Sequence, residues 1–121
     1  MLHIEQIVID SANAAKLAGF WARVLSRPVD PGGNEFFTTI GKGSTDGGPA
    51  LMFLRVPEGK AGKNRLHLDL SGPDWRAEAD RLVGLGAVKQ SEHAEYGTEW
   101  ITFADPEGNE FDLGAGPGPV S

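Results

Sequence analysis

The chain has 121 residues, 11 of them Lys or Arg and 17 Asp or Glu, for a formal net charge of −6. That balance excludes the basic surface that nucleic acid or an anionic membrane requires, and the lack of any cysteine excludes disulfides, thiolate metal sites and cysteine nucleophiles. An apolar content of 40% with 23% charged is that of a soluble globular protein, sized for one domain or two small halves, with no run long enough to span a membrane. The opening Met1-Leu2-His3-Ile4-Glu5 carries no signal-peptide pattern, so a cytoplasmic protein is expected.

Met1 to Asp10, rich in Ile and Val, reads as a buried strand. Asn13 is placed to cap a helix through its side-chain oxygen. Leu17, Phe20, Trp21, Val24 and Leu25 then recur at helical spacing as one apolar stripe, and Pro28 ends the run. Strands are expected over Phe36 to Ile40 and Ala50 to Val56, joined by the Gly-rich loop from Gly41 to Pro49. That loop is not a phosphate cradle, because no Gly-Lys-Ser/Thr follows and no helix begins there.

Residues 58–64 are polar and Gly-rich and read as a linker between a first module, about 1–57, and a second, about 65–114. Leu66 to Leu70 is the next strand, and Asp74 is placed to cap a helix carrying Trp75, Ala79, Leu82 and Leu85. Gly84 and Gly86 mark its end. Strands follow over Ala87 to Gln90 and Glu99 to Ala104. Between them His93, Glu95, Tyr96 and Glu99 read as a polar connection, either surface loop or pocket rim. Asp105-Pro106-Glu107-Gly108-Asn109 has strong turn chemistry. A short strand over Glu110 to Leu113 and a frayed tail over 115–121 complete the chain.

The two halves repeat one plan. Gln6 opens an apolar strand and Asn13 stands seven residues on at a helix start; His67 and Asp74 have the same relation. A unit of this size cannot bury its own apolar face, so two copies are expected to pack together, with Gln6 and His67 in matching places. Alternation puts Leu66, Leu68 and Leu70 on one face and His67 and Asp69 on the other. Glu110 and Asp112 likewise oppose Phe111 and Leu113, while Gln6, Val8 and Asp10 oppose Ile7 and Ile9. This polar face is either solvated or lines a cavity. Trp100, at a strand start, is the aromatic expected nearest a pocket, whereas Trp21 and Trp75 read as core or interface anchors and His3 as a surface residue.

Four collinear stretches carry a resemblance: Gln6 to Asp10, Leu17 to Trp21, Lys63 to Leu70, and Trp100 to Leu113 with its Asp-Pro-Glu-Gly-Asn turn. On these the chain resembles the glyoxalase / bleomycin-resistance / extradiol-dioxygenase (vicinal oxygen chelate) superfamily, and within it the small glyoxalase-like domain proteins. The resemblance implies an α+β fold of two βαβββ modules whose mixed sheet curves into a cup with the helices outside. It implies metal ligands at Gln6, His67 and Asp112, Asp112 standing where the family has Glu. The fourth ligand place falls near Phe53, in a stretch from Ala50 to Leu54 that offers no donor.

Two functions stay open. One is a metal-assisted lyase, isomerase or dioxygenase acting on a small organic molecule, using one divalent ion (Zn, Ni, Mn or Fe), with Glu110 or Asp69 moving a proton. The other is a drug-binding, sequestering protein with no metal, in which His67 and Asp112 pair or form a polar floor. In either case Gln6, Phe53, His67, Trp100 and Asp112 are the expected pocket residues. Neither nucleic acid nor membrane is an expected partner, and a homodimer accords with relatives of this length.

Overall fold

A computed structural model describes residues 1–44 and 48–116. The order is β1 (Gln6–Ser11), α1 (Ala14–Leu25), β2 (Phe37–Ile40), β3 (Ala50–Arg55), β4 (Leu68–Ser71), α2 (Trp75–Leu85), β5 (Val88–Glu95), β6 (Thr98–Ala104) and β7 (Glu110–Gly114). The architecture is α+β, with two helices and seven strands in two mixed sheets. The chain divides into two compact units, one ending at Lys60 and the other beginning at Ala61.

In the first unit Asn13 caps α1 as its sequence position suggests, its Oδ1 accepting from Lys16 N–H at 3.0 Å. Ser26, in the left-handed conformation at φ 52°, closes the helix two residues before Pro28. Leu17, Phe20, Trp21 and Val24 are all buried, along with Phe53, Ile40 and Leu51 of the sheet. Each side chain of this size, once buried, contributes about 1.5–3 kcal/mol of transfer free energy. The sheet runs β1-β3-β2, with β1 parallel and β2 antiparallel to β3.

The first strand is shorter than expected. Gln6 pairs with Ala50, and beyond Ala50 the neighbouring chain is Gly48-Pro49, which offers no ladder partner. Met1 to Glu5 are therefore exposed rather than strand, with His3 paired to Glu5 at 2.9 Å. The connection after α1 holds only an isolated bridge between Val29 and Ile40, because Pro28, Pro31, Gly32 and Gly33 surround it. The expected loop from Gly41 to Pro49 falls partly on residues 45–47, outside the described residues.

Asp30 ties this connection to the sheet. Its Oδ2 accepts from Thr39 Oγ1 at 2.8 Å and from Lys42 N–H at 2.9 Å. The Lys42 amide, then the Thr39 hydroxyl, the Gly41 amide and the Arg27 charge, hold the carboxyl below its usual range against the opposing effect of burial. A lowered folded-state pKa favours the ionised folded form, so its contribution is present above the unfolded carboxylate value and is lost as pH falls through the folded one. Asp30→Asn is therefore expected to flatten the acid limb of stability against pH, read by urea melts between about pH 5 and about pH 2. An unchanged limb would show that these bonds do not differ between folded and unfolded chains.

The second unit has the full βαβββ order, with sheet order β4-β7-β6-β5. Asp74 stands at the start of α2 but makes no side-chain capping bond, and Gly86 closes the helix at φ 117°. Trp75 and Leu82 are the helix residues driven into the core, beside Ile101, Phe103, Phe111 and Leu113. Both Trp21 and Trp75 are thus core residues, at 2% and 9% exposure. Leu66 does not sit under a helix, for it is 71% exposed. The ladder begins only at Leu68, opposite Phe111.

The largest difference lies at β5. The segment read as a polar connection is instead strand as far as Glu95, and a two-residue turn at Tyr96 (φ 55°) and Gly97 (φ 74°) leads into β6. Positive φ at both turn residues matches the twist of a tight hairpin. The strand carries no apolar alternation because Ser91, Glu92, His93 and Glu95 lie at the sheet edge, where none is needed. The Asp105 turn is as the sequence suggests. Its buried carboxylate accepts from the Glu107 and Asn109 amides, both at 2.9 Å, and from Asn109 Nδ2 at 3.0 Å. The tail from residue 117 lies outside the described residues.

Candidate functional site

β4 and β7 run parallel with Asp69 directly opposite Asp112. Alternation keeps both carboxylates on the face away from α2, and His67, just before β4, joins them. His67 Nδ1 lies 3.0 Å from Asp69 Oδ1 and 3.8 Å from Asp112 Oδ2. One donor atom from each of the three residues lies within 4.8 Å of the other two. Two acidic groups facing one another across a ladder repel and cost stability. Neighbouring strands thus set two like charges opposite one another, with the His67 imidazole within ion-pairing distance of both.

Thr102 on β6 pairs with Asp112 in register, and its Oγ1 donates to Asp112 Oδ1 at 2.6 Å. This bond fixes the rotation of the carboxylate and leaves Oδ2 turned toward His67. Thr102 was legible as a neighbour, since it alternates with Ile101 and Phe103, but its partner depends on cross-strand register. If the carboxylate binds a cation, Thr102→Val is expected to weaken that binding about tenfold by freeing its orientation. A titration with Mn(II) measures it, and an unchanged affinity would show that the carboxylate needs no such support.

The same face opens into a groove of about 490 Å³ lined by Asp69, Ser71, Glu99, Trp100, Asp112 and Gly114 among others. Trp100 forms one wall, stacked on His93 at 4.9 Å between ring centroids. Glu99 is drawn away into an ion pair with Arg76. Glu110 is ion-paired with Lys63 at 2.9 Å. Tyr96, at 94% exposure, stands in the hairpin turn away from these groups in sequence and register.

Of the first-unit residues, Gln6 lies on the face of β1 away from α1, its Nε2 donating to Met52 Sδ at 3.7 Å. Phe53 is fully buried on the opposite, helix-facing side. It is a core residue and does not share a face with Gln6; Met52, one position earlier, does. The slip is one residue, which in a strand reverses the face.

One imidazole and two carboxylates are donors that suit Mn, Fe, Ni or Zn, and the open groove leaves positions for water or ligand. The donor set and its spacing fit a divalent ion.

The sequence matches the family model of the glyoxalase-like domain over residues 6–114. The chain belongs to the glyoxalase-like domain family. It is thereby a member of the vicinal oxygen chelate superfamily, and solved structures agree on the fold. A glyoxalase/bleomycin resistance protein/dioxygenase family enzyme from Burkholderia phytofirmans is similar at 14% identity and TM-score 0.75, covering 94% of this chain and 98% of that one. A mutant of the fosfomycin resistance protein FosX from Listeria monocytogenes, complexed with Mn(II) and a dihydroxypropylphosphonic acid, is similar at 13% identity and TM-score 0.76, covering 97% and 92%. TioX from a Micromonospora species matches at 15% identity and TM-score 0.65, covering 94% and 98%. No curated protein matches this glyoxalase-like chain in sequence. Among its described residues no helix is long and apolar enough to cross a membrane.

Proposed function

We propose that this glyoxalase-like protein binds a small organic molecule in the groove of its second unit, beside a divalent cation held by His67 and Asp112. The observation that carries the reading is the convergence of His67, Asp69 and Asp112 within 4.8 Å at the edge of a groove. His67 and Thr102 engage these carboxylates within the protein, and a divalent cation would neutralise the like charges that the ladder sets opposite one another. The Mn(II) complex of the FosX structure supports the choice of metal class, though that protein shares only 13% identity with this one.

When bound, the cation supplies a Lewis acid that stabilises negative charge on a substrate oxygen. The chain's own residues then divide the remaining work. Asp112 is the best-anchored donor, at 21% side-chain exposure and fixed by Thr102. Glu110 is ion-paired with Lys63, and Asp69, beside His67 and at 74% exposure, is the carboxylate on the open side assigned to proton transfer. Trp100 excludes water from one wall of the groove.

The groove volume also lies in the range of drug-sized sites, roughly 300–1,000 Å³, which supports sequestration as a second reading. Calorimetric titration of the full chain with Mn(II) tests the first reading. One equivalent is expected to bind, and His67→Ala to weaken it by about a hundredfold or more, above the loss typical of outer-shell groups. Absence of binding, or binding indifferent to His67, removes it. Gln6→Ala asks whether the first unit contributes a donor: about tenfold weaker Mn(II) affinity assigns it, and unchanged affinity excludes it. A ligand that binds and is released unchanged supports sequestration.

A further inference from the structure

Trp100 has unlike neighbours on its two sides. On β5 its register partner is His93, whose ring lies over the indole at 16° to its plane. Ser91, two residues along the same face, holds His93 Nε2 at 2.7 Å and so restricts the imidazole. On β7 the partner is Gly114. A Cβ there would stand 3.0 Å from Trp100 Cβ and 2.7 Å from the Glu99 carbonyl oxygen, so the close approach of β6 and β7 admits only glycine. The β7 side of the indole consequently meets no side chain from its cross-strand partner, and this side borders the groove with Gly114, Gly116, Ser71, Asp69 and Asp112.

Strand spacing sets the width available. From β6 across β7 to β4 are two steps of about 4.8 Å, roughly 10 Å in all. A flat ring at the usual contact distance of about 3.5 Å from the indole fits over Gly114, with its far edge directed along β7 toward Asp112, two residues or about 7 Å away. A saturated ring, being thicker, loses either the stacking or the reach.

We infer that Trp100 is a stacking platform, and that the ligand carries a flat aromatic or conjugated ring lying against the indole above Gly114. His93 is a positioning residue that holds the indole upright from behind. The inference rests on the groove being the ligand site, but not on a cation being bound there.

Naphthol and its fully reduced counterpart decahydronaphthol share a skeleton and a hydroxyl but differ in flatness and in hydroxyl acidity, so calorimetric titration of the full chain with each, repeated on Trp100→Leu, isolates stacking. Naphthol is expected to bind about fivefold to tenfold more tightly, the value of one good aromatic contact. Trp100→Leu should bring the ratio to about one, while Trp100→Phe keeps most of it. His93→Ala should lower the ratio about threefold by releasing the indole, and His93→Phe should restore it by rebuilding the stack. Failure of naphthol to bind, equal binding of the two probes, or a ratio unmoved by Trp100→Leu would each overturn the platform. Mn(II) titration of the same proteins separates this from the cation reading. Trp100-dependent discrimination without Mn(II) binding upholds the platform alone. Mn(II) binding with no such discrimination overturns it and leaves the cation standing.

Discussion

Asp112→Asn is expected to weaken Mn(II) binding by about a hundredfold or more while leaving the metal-free protein as stable as before, or more stable by about 0.5 kcal/mol. The two effects have opposite signs for one physical reason. Asp69 and Asp112 face each other across the parallel ladder, so in the metal-free chain their charges repel, and the His67 imidazole, 3.8 Å from Asp112, offsets this only in part. Asn keeps the shape of Asp112 and can still accept from Thr102, but removes that repulsion together with the anionic donor. In the unmodified chain a bound cation reverses the balance and adds stability in proportion to its excess over the dissociation constant. Mn(II) should therefore raise the melting temperature of the parent protein and leave that of Asp112→Asn almost unmoved. A merely structural Asp112 would behave otherwise: its replacement would lower stability with and without the ion alike.

Phe111→Ala is expected to cost about 3–5 kcal/mol, a large part of the roughly 5–15 kcal/mol that holds a domain of this size together. Phe111 is 1% exposed and stacks on the fully buried Phe103, with ring centroids 5.6 Å apart. It sits on the helix-facing side of β7, between Glu110 and Asp112 on the other. Truncation leaves a cavity directly beneath the strand that carries Asp112, and the second unit has few other large buried groups to close over it. In urea the midpoint should fall by about 2–3 M for a slope near 1.5 kcal/mol/M, with the slope itself unchanged. A loss below about 1 kcal/mol would mean that the core collapses around the gap.

Much of this was legible because a strand has only two faces. Alternation alone separated His67, Asp69 and Asp112 from Leu68, Phe111 and Leu113, and the Asp105 turn announced itself by its residue types. What alternation does not contain is register. That Asp69 stands opposite Asp112, and Thr102 beside it, follows from how β4, β7 and β6 line up, which depends on contacts far apart in sequence. The same gap misplaced Phe53, where a shift of one residue separates the core face from the face of Gln6. His93 was hidden differently. An edge strand has no need of an apolar stripe, so β5 looked like loop, and its stacking on Trp100 became visible only once the hairpin turn at Tyr96 and Gly97 brought the two into register. Leu66 has the spacing of a core residue but precedes the ladder, which begins at Leu68.

The cation site itself is tested most directly by pulsed electron paramagnetic resonance of Mn(II) bound to the full chain, which detects nitrogen bonded to the metal. Modulation from a single imidazole nitrogen, gone in His67→Ala and kept in His3→Ala and His93→Ala, is the expected spectrum. Manganese surrounded by oxygen alone, or nitrogen coupling that outlasts the loss of His67, would contradict it.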